Sequence, residues 1–127
     1  MPVPITAIYA AILALVLTVL SAKAGLLRGK LGIPAGDGNN DQMILAMRTH
    51  PNAAEYIPIA IILMMILEMN VASTYLLHGI GAALVIARIA HPLGISNLQS
   101  PMRLVGAGLT ALTIVVSAVL VLWQAFF

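Results

Sequence analysis

Apolar residues run along this chain in four long blocks, separated by three short stretches rich in Gly, Pro, Asn and charge. The first block, Ile5 to Ala24, is Leu, Val, Ile and Ala with Thr6, Tyr9, Thr18 and Ser21 as its polar interruptions, and Lys23, Arg28 and Lys30 close it. About 20 helical residues cross a bilayer core, so the block reads as a membrane span. Leu31 to Asn40 carries Gly32, Pro34, Gly36, Gly38 and two Asn and reads as a loop, with Asp41 as candidate N-cap of the next helix. The second span, Asp41 to Met69, is longer than a bilayer needs, so its first turns project or the helix tilts. Pro51 and Pro58 lie inside it, and each removes a backbone hydrogen bond. They either mark a cavity whose surroundings satisfy the freed carbonyls or are tolerated kinks.

Asn70 to Ser73 reads as a tight turn, and Thr74 to His91 as a third span. Its Gly79, Gly81, Ala82, Ala83 and Ala87 suit close helix packing. Pro92, Gly94, Ser96, Asn97 and Pro101 make a further loop. Leu104 to Phe127 is a fourth span without charge, with Trp123 and Phe126 as interface anchors. The expected architecture is an all-α, integral membrane four-helix bundle, one domain over residues 1–127.

Composition agrees with that pattern. The chain is 61% apolar and 8% charged, with a mean hydropathy of +1.06. Its basic pI reflects only six Lys and Arg against four acids, placed at membrane edges, so no nucleic-acid partner is expected. The absence of cysteine excludes disulfides and a thiol nucleophile on the protein. Met-Pro-Val-Pro-Ile lacks a basic n-region, and no Ala-x-Ala site precedes Lys23, so the first block reads as a retained helix. Lys23, Arg28, Lys30 and Arg48 flank the first loop, and Arg88 and Arg103 the third. The positive-inside bias then predicts a multi-pass protein with loops one and three cytoplasmic and both termini outside.

Polar chemistry concentrates between Met47 and Pro58. At 3.6 residues per turn, Arg48, Asn52 and Glu55 share one narrow stripe, Tyr56 borders it, and His50 lies on another face. Counting about 20 residues back from Glu68, which marks the outer edge, reaches Arg48, so Glu55 lies inside the span. A charge there costs roughly 2.5–3.5 kcal/mol on insertion scales and marks a functional site by default. The competing reading is an internal ion pair between Arg48 and Glu55. Arg48, Asn52, Glu55, Arg88, His91 and Arg103 all fall toward the cytoplasmic half. Several arginines and one carboxylate match a zwitterionic ligand carrying several carboxylates. Arg103 would favour the thiolate of a ligand. His50, His78 and His91 lack metal-ligand spacing, and no Ser-His-Asp arrangement is supported. A small proton-coupled exporter centred on Glu55 is a further reading.

Arg48-x-x-x-Asn52-x-x-Glu55-Tyr56-x-Pro58, at the start of the second of four spans, resembles the signature of the MAPEG superfamily. These are membrane-associated proteins in eicosanoid and glutathione metabolism, and the likeness extends to length, span count and loop placement. The resemblance implies a homotrimer of four-helix bundles that holds glutathione between subunits near the cytoplasmic face and acts as a transferase or peroxidase on lipophilic electrophiles. It implies that Arg48, Asn52, Glu55 and Tyr56 hold the glutathione, with His50, Lys23, Arg88 and His91 at further contacting positions, and that Arg103 stabilises the thiolate. One departure stands out: relatives carry tyrosines at the end of span three, where this chain has His91 and Ile95. That departure fits a non-catalytic, lipid-binding scaffold of the same fold.

Overall fold

A computed structural model describes residues 1–70, 72–94 and 100–127. The chain forms four helices, α1 (Pro4–Leu31), α2 (Asp41–Met69), α3 (Thr74–Gly94) and α4 (Pro101–Phe126). Each is long and apolar enough to cross a bilayer.

One cap and three boundaries differ from expectation, each for a local reason. α1 continues past Ala24 to Leu31 because no breaker precedes Gly32, which adopts φ 64° and returns its N–H to the carbonyls of Arg28 and Gly29. The N-cap of α2 is Asn40, whose side chain accepts from the Met43 N–H at 3.1 Å. Asp41 is instead the first helical residue, where its charge favours the positive end of the helix dipole. α3 runs through Pro92 to Gly94, one turn past His91, since a proline removes a single hydrogen bond and the turn is held by packing on α4. The predicted loop residues Ser96 and Asn97, with Ile95, lie outside the described residues. Pro101 occupies the first turn of α4, where its missing N–H costs nothing.

α2 and α3 pack on each other, and each touches both remaining helices. α1 and α4 flank this central pair, and among the described residues they do not meet. One core cluster joins Leu13 of α1, Ala53, Ile57 and Ala60 of α2 and Leu84 of α3. A second, toward the opposite end from the first loop, joins Met64, Leu67, Leu77 and Ile80. Glycines set the closest approaches. A Cβ on Gly106 would lie 2.7 Å from the His91 backbone nitrogen, Gly94 rests on the backbone of Arg103, and Gly81 seats the Tyr9 ring. Gly79, by contrast, borders open space.

Glu68 is more than a boundary marker. Its carboxylate accepts from the backbone N–H groups of Ile5 at 2.8 Å and Thr6 at 2.7 Å, satisfying two orphan donors at the start of α1. Nearby, the Tyr9 hydroxyl lies 3.1 Å from His78 Nδ1 and donates to the His78 carbonyl. At the other end, Arg28 donates to the Gly36 carbonyl at 2.9 Å and secures the first loop.

Candidate functional site: a buried arginine between α2, α3 and α4

Arg88 is 2% exposed, although it carries a charge and lies inside α3. Its Nη1 donates to Asn52 Oδ1 at 3.0 Å, and its Nη2 donates to the Gly106 carbonyl and to the Thr110 hydroxyl. Thr110 in turn donates to the Gly106 carbonyl at 2.8 Å. Every one of these acceptors is neutral, and Arg88 Nε finds no acceptor among the described residues. Burying an ion is expensive unless charge and hydrogen bonds compensate it. The bundle therefore holds a cation that is tethered but whose charge no carboxylate balances among the described residues.

Asn52, Tyr56, Arg88, Ala107, Thr110 and Ala111 surround a small pocket of about 90 Å³ beside this guanidinium. Arg103 lies on the same face of α4, one turn before Ala107 and two before Thr110, and is half-buried. His91 is buried near the first turn of α4, its backbone against Gly106. Arg48 and Glu55 point outward from α2 and are exposed, as is Tyr56 in part. Among the described residues no ion pair joins Arg48 to Glu55. The self-neutralised pair is therefore not what this protomer forms.

The remaining candidates fall elsewhere. Lys23 lines a second cavity between α1, α2 and α3, and His50 is half-buried on α2 and lines neither cavity. A single protomer thus brings together Asn52, Tyr56 and Arg88, with Arg103 and His91 close by, while Lys23 shares only the second cavity with Arg88. Sequence reasoning missed Thr110 and Gly106. The signal was present: Thr110, Thr113 and Ser117 are hydroxyls at i, i+3 and i+7 of an aliphatic helix, and all three are buried.

The sequence profile of the MAPEG family matches residues 6–123. The chain belongs to the MAPEG family. Its sequence is 35% identical over 119 residues to Inner membrane protein YecN of Escherichia coli strain K12, covering 94% of this chain and 91% of that relative. The same protein of Escherichia coli O6:H1 strain CFT073 gives the same figures. Four apolar helices and this likeness make the MAPEG chain a multi-pass membrane protein.

Proposed function

We propose that this MAPEG chain is a glutathione-dependent membrane transferase, or lipid peroxidase, working on lipophilic electrophiles from the bilayer. The observation that carries the reading is Arg88, a buried cation that only neutral groups tether, next to a pocket shared with Asn52 and Tyr56. A carboxylate of the tripeptide would supply the missing negative charge. Glu55 would take its ammonium, Arg48 a second carboxylate, and Arg103 would hold the sulfur as thiolate. In the transferase reaction the thiol gives up its proton, sulfur donates an electron pair to the electrophilic carbon, and the leaving group departs with the electrons of its bond.

The pocket in one protomer, about 90 Å³, is well below the roughly 300–1,000 Å³ of small-molecule sites. Glu55 and Arg48 are exposed on an outward face at membrane depth, where lipid contact is costly. Both facts support a homotrimer in which a neighbouring copy covers that face and completes the site. Rotational assembly would also let His50 of one copy meet the Arg88 pocket of the next. Loops one and three face the cytoplasm in this reading. Isothermal calorimetry with glutathione on purified protein tests it. Binding by the wild type, lost in Arg48→Ala and Glu55→Ala, is the expected result; no binding by a wild type that remains oligomeric ends the proposal.

A scaffold without catalysis is the second reading. It draws on His91, a buried imidazole where relatives carry a phenol. Glutathione that binds without gaining thiolate absorbance, and without conjugating a model electrophile, would favour it.

A further inference from the structure

A larger cavity lies away from the Arg88 tethers. It is a groove of about 650 Å³ with α1 and α3 as walls and α2 as floor. Ile12, Leu15 and Val19 of α1 and Ile89 and Leu93 of α3 line it, and all five are exposed. The α1 stretch from Ile12 to Lys23 spans about 16 Å at 1.5 Å per residue, so the groove runs lengthwise along the helix. Its polar groups gather at one end. Lys23 and Gln42 sit there, both exposed, beside the first loop, and the Thr49 hydroxyl is already used on the Leu45 carbonyl. Arg88 borders the inner wall, and its charge adds to the positive potential in a region of low dielectric.

An apolar trough that ends in a cation and an amide at the depth of lipid head groups has the form of an anionic-lipid site. Arg48 and Glu55 do not line it, so the groove is distinct from the outward face that the proposed trimer would cover. We propose that the groove between α1, α2 and α3 binds one acyl chain of an anionic phospholipid from the surrounding membrane, with its phosphate held by Lys23 and the Gln42 amide. The site does not depend on glutathione binding.

The test is thermal melting of delipidated, purified full-length protein in detergent, titrated in parallel with dioleoyl phosphatidylglycerol, dioleoyl phosphatidylcholine, oleate and inorganic phosphate. Phosphatidylglycerol should raise Tm well beyond phosphatidylcholine, and native mass spectrometry should count it as retained lipid. Lys23→Ala should weaken its apparent affinity about fivefold, the equivalent of ~1 kcal/mol for one basic residue at a membrane surface. Ile89→Trp, at the exposed rim, should abolish the shift by filling the groove. The proposal is overturned by equal shifts with the two phospholipids, by an oleate or phosphate effect that matches phosphatidylglycerol, or by a shift that survives both variants. It is also overturned if Leu93→Cys protein forms disulfide dimers in vesicles, since a second copy would then cover the groove. Glutathione affinity measured on Ile89→Trp should be unchanged. Loss of glutathione binding by the wild type would sink the enzymatic reading and leave this one standing.

Discussion

Arg88 on α3 and Asn52 on α2 are joined by a 3.0 Å hydrogen bond from Nη1 to Oδ1, which ties the middle of the α2 polar stripe to a buried cation on its neighbour. The bond settles which way Asn52 faces: toward α4 and the small pocket, while Glu55 and Arg48 turn outward. Arg88 is consequently both a tether between three helices and an unbalanced charge.

Arg88→Lys tests the two roles separately. Lysine keeps the charge but has no planar fork to reach Asn52, Gly106 and Thr110 together. Hydrogen bonds from a charged donor contribute about 1.5–3 kcal/mol each, so the variant should unfold several degrees below the wild type in detergent. Glutathione affinity should fall less than in Arg88→Met, which removes the charge as well. Equal affinities for the two variants would mean that the charge plays no part in binding.

Much of this architecture is legible from hydropathy alone, because a bilayer leaves helices as the main means of satisfying backbone groups. α2 begins and ends at the predicted Asp41 and Met69. The stripe of Arg48, Asn52 and Glu55 is legible from spacing, but its division between an inward Asn52 and outward charges is not. That division depends on α4 supplying Gly106 and Thr110, and no local rule links residue 52 to residue 110. The role of Glu68 was hidden for the same reason: its partners, Ile5 and Thr6, are backbone amides more than 60 residues away. An N-cap delivered from another helix leaves no mark in the flanking sequence.

The Glu68 cap yields its own prediction. Glu68→Ala leaves the Ile5 and Thr6 donors without their acceptor at the start of α1. Loss of an N-cap acceptor typically costs about 0.5–2 kcal/mol. A lower Tm with unchanged glutathione affinity is expected, since Glu68 lies at the opposite end of α2 from Arg48. Hydrogen exchange at residues 5 and 6 should quicken in the variant, whereas unaltered exchange there would refute the cap.

Gly81→Ala probes the seat of Tyr9. A Cβ at residue 81 meets the half-buried Tyr9 ring, a contact between α1 and α3. Overpacking of this kind costs typically 1–3 kcal/mol. The ring is also held by its hydroxyl, 3.1 Å from His78 Nδ1, so it cannot swing away without losing that contact. Adding Tyr9→Leu to Gly81→Ala should therefore recover part of the lost stability, although Tyr9→Leu alone is destabilising. Strict additivity of the two in a double-mutant cycle would show that residue 81 is felt by something other than Tyr9.

Gly106→Ala addresses the approach of α4 to α3, on which the whole candidate site depends. A methyl group there would lie 2.7 Å from the His91 nitrogen and 2.8 Å from its Cα, both backbone atoms that a rotamer change cannot move. The helices must separate, and the first bonds stretched are those from Arg88 to the Gly106 carbonyl and the Thr110 hydroxyl. The variant should lose stability comparably to Arg88→Lys and lose glutathione binding with it. Gly108→Ala is the matched control, because residue 108 borders open space on the same helix. It should melt at or slightly above the wild type, as alanine is the better helix former. If the two alanine variants behaved alike, the α3–α4 crossing would not be held by Gly106, and Arg88 would have to draw its alignment from Asn52 alone.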